Sequence, residues 1–192
     1  MANNIIRDRQ RPLVALYQKE PAAAWVIDRA RTGWRADDPL HTAVRLGPDE
    51  PINVPIALHS AVGGESDEAV AGDLLCGALA TCIDSTLRAA AGRMRLELEH
   101  LSVDVIAEVD VRGTLCVDSS VPVGFQKMGA KVDVRFAPGS DPTRRAMLMQ
   151  LVEHCCVVMR TLRDGVPIDV SVDDGTEAPV ESSTALSVGG VA

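Results

Sequence analysis

The longest apolar stretch of the chain lies near its middle and has no polar face. It runs from Gly72 to Met94 with the sequence GDLLCGALATCIDSTLRAAAGRM, which is rich in Ala and Leu. A helix that is apolar almost all round belongs at the centre of a domain rather than on its surface. The pattern therefore predicts a buried central helix over residues 72–94.

Three strands are predicted before this helix, from short apolar runs bounded by turn residues. They cover residues 22–33, 41–47 and 52–59. A turn at 34–39 makes the first two a hairpin. Pro55 indicates that the third strand lies at an edge or is irregular, because proline cannot donate a ladder hydrogen bond. A polar, glycine-bearing loop over 61–72 then leads into the central helix.

After the central helix the pattern becomes an alternation of period two. Leu101, Val103 and Val105 fall on one face, and acids such as Asp104 fall on the other, which predicts a half-buried strand within residues 96–113. A second alternating strand is predicted over 131–136.

A second helix is predicted from Pro142 or Thr143 to about Leu162, capped by Ser140 or Asp141. Its apolar positions recur at helical spacing: Leu148, Leu151, Val152, Cys155, Met159 and Leu162. A final strand is expected over 166–172.

The order of these elements predicts an α+β fold with the helices on one side of antiparallel sheets. Leu13, Leu16 and Tyr17 indicate an additional amphipathic helix that ends before Pro21. We expect three parts: an N-terminal helical extension over 1–21, one domain over 22–172, and a flexible tail rich in Gly, Ser, Thr and acids over 173–192.

Charge and hydropathy exclude several classes of function. The 192 residues carry a formal net charge of −8, which argues against binding to nucleic acid or to an anionic membrane surface. We find no uninterrupted run of the ~18 apolar residues that a membrane span needs, and no apolar stretch of signal-peptide length at the N-terminus. We therefore expect a cytoplasmic protein whose five cysteines are reduced thiols.

Two of those cysteines, Cys76 and Cys82, lie on the central helix. Six helical residues separate them by roughly 9 Å along the axis and roughly 240° around it. Since bridged Cα atoms lie within about 7 Å, a redox partner for either thiol must come from another element. The second helix carries Cys155 and Cys156, and Cys116 lies in the connection between the predicted strands.

The residues alone leave other interpretations open. A buried free cysteine often acts only as a small hydrophobe. A zinc site is disfavoured, because such sites usually use closely spaced pairs such as C-x₂₋₄-C. A hydrolase triad is also disfavoured, since there is no G-x-S-x-G motif, and His154 does not face its helix neighbour Cys155.

The motifs on the two helices resemble those of the OsmC/Ohr family (osmotically inducible protein C and organic hydroperoxide resistance protein). GDLLCGALATCIDSTLR, from Gly72 to Arg88, is similar to the family's P-x-E-L-L-x-A-A-L-A-A-C followed by T-L-R. HCCVVMRTL, from His154 to Leu162, is similar to C-P-V-S-x-T-L. In this alignment Cys82 and Cys156 fall on the two motif cysteines, and the resemblance covers residues 22–172.

The resemblance implies an intertwined homodimer with antiparallel sheets wrapped around two central helices and an active site at the subunit interface. It implies a cytoplasmic antioxidant enzyme of the stress response that reduces organic hydroperoxides, and possible action on hydrogen peroxide. Cys82 would be oxidised to a sulfenic acid, Cys156 would condense with it to a disulfide, and a lipoyl-type dithiol would reduce that disulfide. No cofactor or metal is implied.

The family stabilises its thiolate with an arginine from the first hairpin turn, which a glutamate near the start of the central helix holds. Arg35 is the first candidate for this arginine and Arg31 the second. At the glutamate position, ten residues before Cys82, this chain has Gly72; Asp73, Glu65 and Glu68 are possible substitutes. This departure leaves two further hypotheses: a non-catalytic small-molecule binder or redox sensor, and a Cys82 that only packs in the core.

Overall fold

The computed structural model describes residues 2–33, 35–48 and 51–173 of the chain. Its helices are α1 (Ala2–Lys19), α2 (Ala71–Arg93), α3 (Val111–Thr114), α4 (Pro142–Cys155) and α5 (Val157–Asp164). Its strands are β1 (Ala30–Thr32), β2 (His41–Leu46), β3 (Ile52–Ala57), β4 (Leu98–Glu108) and β5 (Lys127–Phe136). The mixture of helices and antiparallel strands confirms the predicted α+β class.

The central helix predicted from the apolar stretch is α2. Its largest fully buried side chains, Ile83 and Leu87, lie one turn apart and share a core cluster with Leu148 and Val152 of α4. Alternate residues of β4 cover the same core, and α1 packs along another part of α2. α2 thus contacts four other elements, α1, α4, α5 and β4, as expected of a central helix.

By length and composition alone, α2 is the one helix in the described part of the chain that could cross a membrane. A helix at the centre of a folded core meets the same criterion, so this finding is weak evidence for a membrane span.

The strands form two antiparallel sheets, one with the order β1-β2-β3 and one that pairs β4 with β5. β3 is an edge strand in which Pro55 lies opposite Ala43, which confirms the interpretation of this proline. β4 alternates half-buried and exposed side chains as predicted, but it ends at Glu108, and α3 follows instead of more strand. β5 begins at Lys127, earlier than the predicted 131.

Two predicted strands are largely wrong. Of residues 22–33, only Ala30–Thr32 pair with another strand, and Pro21–Ala24 form a 3₁₀ turn. Residues 166–172 form no strand, and Ile168 and Val170 are each 82% exposed. An apolar pattern alone does not make a strand, because a strand also needs a neighbour for its backbone, and no described strand pairs with residues 22–29 or 166–172.

The predicted second helix begins as expected and then divides. Asp141 caps α4, its carboxylate accepting a hydrogen bond from the backbone N–H of Thr143 at 2.8 Å. The helix does not continue to Leu162: Cys156 has φ −73° and ψ 108°, outside the helical region, and α5 starts in a new direction at Val157. Two β-branched residues, Val157 and Val158, follow the break, and such residues favour a helix less than Ala or Leu does.

The predicted N-terminal helix is confirmed as α1. Of the predicted flexible tail, residues 174–192 lie outside the described residues.

Candidate active site

Cys82 and Cys156 come from different elements and meet in the core. Cys82 lies midway along α2, is half-buried and packs against the core cluster. Cys156 occupies the break between α4 and α5, is fully buried, and belongs to that cluster. Cys82 thus packs against the cluster that contains Cys156, and its presence contributes to the raised pKa of the Cys156 thiol. The structure therefore brings together the pair that the motif comparison selected.

The break at Cys156 places the amino terminus of α5 beside these sulfurs. The backbone N–H of Val158, in the first turn of α5, donates a hydrogen bond to Sγ of Cys82 at 3.5 Å. First-turn N–H groups have no partner within their own helix, and this end of a helix favours negative charge. Cys82 thus faces a hydrogen-bond donor of the kind that suits a thiolate.

The environments of the two thiols differ. Burial raises the pKa of the Cys156 thiol above its ordinary value; the backbone N–H of Met159 opposes this rise, and the neighbouring Cys82 adds to it. The raised pKa favours the neutral thiol form of Cys156, whereas Cys82 is only half-buried.

The other three cysteines lie apart from this pair. Cys155, the last residue of α4, is exposed, and so is Cys116. Cys76 is half-buried and lines a cavity.

This cavity has a volume of about 900 Å³ and lies between the start of α2, the β2–β3 sheet and β4. Its walls are mainly apolar, with Ile56, Val105 and Phe125 among them. Polar groups enter from one side, where Arg35 and His41 lie. The described residues that line it include neither Cys82 nor Cys156. The cavity and the thiol pair are therefore two separate features of the single chain.

Arg35 lies at the cavity and forms an ion pair with Asp38 at 3.3 Å. Its side chain is about half exposed. Arg31 lies in β1 directly opposite Arg45. In the described chain, Arg35, the cation that we expected beside Cys82, therefore lies at the cavity instead.

Gly72 and Asp73 have structural roles at the start of α2. A Cβ atom at Gly72 would lie 3.2 Å from Cζ of Phe125, so this position has little room for a side chain. The Asp73 carboxylate accepts a hydrogen bond from the backbone N–H of Val70 at 3.0 Å, which caps the first turn of α2. The ring of Phe125 occupies the space beside the position where the family carries its glutamate.

A charged cluster that the sequence did not indicate lies beside the cavity. His41 Nδ1 contacts Asp38 and Nε2 contacts Asp67, each at 2.9 Å. Hydrogen bonds to Asp67 and then Asp38 raise the pKa of His41 to about 9, and the bond to His41 lowers the pKa of each carboxyl group. The imidazolium therefore ties the loop before α2 to the β1–β2 turn.

Within the described residues, His41, Glu65 and Asp67 are also the group with the composition of a metal site, their ligand atoms lying within 4.8 Å of one another. Both ring nitrogens of His41 already contact carboxylates, and two of the acids are exposed. We therefore interpret His41 and Asp67 as members of an ion-pair cluster rather than as metal ligands.

A family model described as OsmC-like protein matches residues 64–171. This match covers more than half of the chain and includes both motif helices. The chain belongs to the OsmC-like family. No curated protein matches this sequence.

Solved structures of OsmC-like proteins share the fold. One from Vibrio cholerae, described as an OsmC-like protein of unknown function, has a TM-score of 0.60 at 12% identity and covers 71% of this chain and 94% of its own. An OsmC-like protein from Mycoplasma pneumoniae has a TM-score of 0.57 at 12% identity, with 72% and 88% covered. An organic hydroperoxide resistance protein OsmC from Legionella pneumophila has a TM-score of 0.54 at 17% identity, with 73% and 91% covered. These likenesses establish the OsmC-like α+β fold.

Two features of this OsmC-like chain could not be predicted from its sequence. The helix break at Cys156 was hidden because the apolar spacing continues across it. The Asp38–His41–Asp67 cluster was hidden because Asp67 is 26 residues from His41, and no local pattern links residues so far apart.

Proposed function

We propose that this OsmC-like chain is a thiol-dependent peroxidase that reduces organic hydroperoxides. The observation that carries the proposal is the meeting of Cys82 and Cys156, with a backbone N–H donated to the Cys82 sulfur. Thiolates are the reactive form of cysteine. The name of the Legionella relative, an organic hydroperoxide resistance protein, gives the substrate class independent support.

The reaction has three balanced steps. The Cys82 thiolate attacks the terminal oxygen of ROOH; the O–O bond breaks, and the alkoxide takes up a proton to leave as ROH. The resulting Cys82 sulfenic acid condenses with the Cys156 thiol, which forms the disulfide and releases water. A dithiol of lipoyl type then reduces the disulfide by exchange and is itself oxidised to a cyclic disulfide.

The different environments of the two thiols suit these roles. The nucleophile must be reachable by substrate, and Cys82 is the more accessible thiol. The resolving thiol must stay unreacted until a sulfenic acid forms beside it, and burial keeps Cys156 neutral.

Steady-state assays of cumene hydroperoxide consumption with dihydrolipoamide test the proposal. We expect many turnovers per subunit for the wild-type chain and none for Cys82→Ser. Cys76→Ser, on the same helix, is the matched control and should keep its turnover. If the wild-type chain consumes no more than one equivalent of peroxide, the proposal is wrong.

We retain Arg35 as a catalytic residue in this proposal, acting within a cytoplasmic homodimer whose active site lies at the subunit interface. The single chain places Arg35 at the cavity with Gly72 and Cys76, so the dimer must bring it to a thiol. Arg35→Lys keeps the charge and should retain more activity than Arg35→Met. Wild-type activity in Arg35→Met would remove Arg35 from the catalytic group.

The cavity supports a second candidate, a non-catalytic binder of small molecules or a redox sensor. Its volume of about 900 Å³ and its apolar walls suit an organic ligand. This function predicts one slow disulfide-forming event per subunit rather than turnover. The same assay therefore separates the two candidates.

We propose the following domain division, of which the family model matches residues 64–171. Residues 22–172 form the OsmC-like domain, and α1 within residues 1–21 is an extension that packs against α2.

A further inference from the structure

The N–H group that contacts Cys82 lies at a defined helix end. Val158 is the second residue of α5, and its N–H donates to Cys82 Sγ at 3.5 Å. The helix truly starts there, because the Cys156 carbonyl already accepts the hydrogen bond of Arg160 at 3.0 Å. The first N–H groups of α5 therefore point toward the sulfurs rather than into their own helix.

Cys156 uses the same helix end. The backbone N–H groups of Met159 and Val158 both lower the pKa of the Cys156 thiol, against the larger effect of burial. Two sulfurs and two amides thus share one site at the positive end of α5. A helix amino terminus favours a thiolate.

Three ion pairs lie on the helices around this site. The ion pairs on α5, α2 and α4 are Arg160–Asp164, Arg88–Asp84 and Arg163–Glu153. Arg35 pairs with Asp38 at the cavity, and Gly72 stands where the family carries its glutamate. In the described chain, the donor that contacts Cys82 is a backbone amide.

We propose that the backbone N–H of Val158 is the positioning group of this enzyme: it holds the Cys82 sulfur at the amino terminus of α5 and stabilises its thiolate. This inference rests on the proposed peroxidase function and assigns to a main-chain group a task that a side-chain cation alone would otherwise perform. A backbone donor is present whatever the side chain at position 158, so the sequence motif does not reveal it.

Val158→Pro tests the inference, because proline lacks an N–H and is tolerated in the first turn of a helix. Val157→Pro is the matched control: it places proline one residue earlier, where Cys156 already has the extended backbone that precedes proline. Val158→Thr is the second control, since it keeps both the N–H and the branched shape. Thermal unfolding verifies that each variant is folded.

The readout is the rate of iodoacetamide alkylation of Cys82 in the reduced full-length chain, followed by peptide mass spectrometry across a range of pH. A hydrogen bond to a charged group is worth at least about tenfold in an equilibrium constant, so the rate at pH 7 should fall about tenfold in Val158→Pro. Its pH profile should move to higher pH while the limiting rate stays unchanged. Val157→Pro and Val158→Thr should behave as wild type.

Identical pH profiles for Val158→Pro and wild type would overturn the inference, as would an equal shift in Val157→Pro. If Val158→Pro does not fold, an ester in place of the 157–158 amide, made with α-hydroxyvaline, removes the same N–H with little change of shape. Peroxide turnover by the wild-type chain is measured separately. Turnover with unshifted profiles leaves the peroxidase standing and removes the amide's role; a shifted profile without turnover does the reverse.

Discussion

At the scale of single residues, the surroundings of Cys82 and Cys156 suit the two thiols to different roles. Cys156 is fully buried, and its pKa is raised, whereas Cys82 is half-buried and receives a backbone N–H. If Cys156 resolves the sulfenic acid, its removal leaves an oxidised Cys82 with no partner.

We therefore expect Cys156→Ser to form the Cys82 sulfenic acid at a rate near that of wild type and then to over-oxidise. Intact-mass spectrometry during a hydroperoxide titration should show sulfinic acid on Cys82 and no intramolecular disulfide. Cys155→Ser changes the neighbouring exposed thiol and is the control. It should form the disulfide normally; disulfide formation by Cys156→Ser would assign resolution to another cysteine.

The ion pairs of His41 predict a pH dependence of stability. Since the pKa of His41 is raised from 6.5 to about 9 in the folded chain, its contribution is fully present below about pH 6.5 and is lost as pH rises through about 9. The lowered pKa values of Asp38 and Asp67 mean that it is also lost in acid, as the pH falls below about 4.

Melting temperatures of wild type and His41→Gln measure this effect. The difference between them should be largest near pH 5–6.5 and should vanish near pH 10, a window that follows from the raised pKa. Asp67→Asn removes one of the two carboxylates that contact His41, so it should lower the melting temperature over the same pH range by less than His41→Gln does. A difference that is constant between pH 5 and pH 10 would contradict the assignment of these ion pairs.

The close approach of Phe125 to Gly72 predicts a coupling between these residues. Gly to Ala in a helix normally gains up to about 1 kcal/mol, but a Cβ at Gly72 would meet the ring at 3.2 Å. Gly72→Ala should therefore gain little or destabilise in the wild-type chain, and should stabilise by about 0.5–1 kcal/mol in a Phe125→Ala background. Urea denaturation of the four chains completes the cycle, and equal effects in both backgrounds would show no coupling.

At the scale of elements, the core is concentrated where α2 crosses α4. Leu87 is fully buried there, and replacing a buried Leu by Ala costs about 2–5 kcal/mol. We expect Leu87→Ala to lower the free energy of unfolding by that amount, whereas Leu115→Ala, 49% exposed, should cost far less. Urea denaturation measures both. Similar losses would mean that this face of α2 is not the core.

The sequence predicted those elements whose pattern is local. α2, the alternating strand β4 and the Asp141 cap follow from spacing and capping chemistry, so they could be read directly. The break after α4 could not, because a helical apolar stripe continues through Cys156 and the departure lies in one backbone angle.

The candidate site, too, was only partly predictable from the sequence. Cys82 and Cys156 could be selected from the sequence, because each lies within a short motif of its own. The contact of the Val158 N–H with Cys82 spans 76 residues, and that of His41 with Asp67 spans 26; tertiary packing alone decides such contacts.

At the scale of the whole molecule, two extended apolar segments lack cover. Trp25, Val26 and Ile27 are each more than 70% exposed, and so are Ile168 and Val170 in the segment over 166–172. Soluble chains rarely leave contiguous apolar surface open. This exposure agrees with the proposed intertwined homodimer, in which a second copy covers both segments.

Light scattering on variants tests whether a second copy of the chain covers these segments. Val170→Asp places a charge in the exposed segment and should shift the chain from dimer to monomer at micromolar concentration. Val123→Asp makes the same change at a residue 74% exposed in a loop outside these segments, and should leave the dimer intact. A monomeric wild-type chain, or a dimeric Val170→Asp, would contradict the homodimer.

The joint between α4 and α5 also determines which changes of chain length the protein tolerates. Cys156 donates its N–H to Val152 in the last turn of α4 and accepts from Arg160 in the first turn of α5. One residue therefore ends one helix, starts the next and carries a thiol. An inserted or deleted residue at this joint would move the first amides of α5 away from the sulfur that they now face. The spacing from Cys156 to the Val158 amide is therefore the feature that a change of chain length at this joint would disrupt.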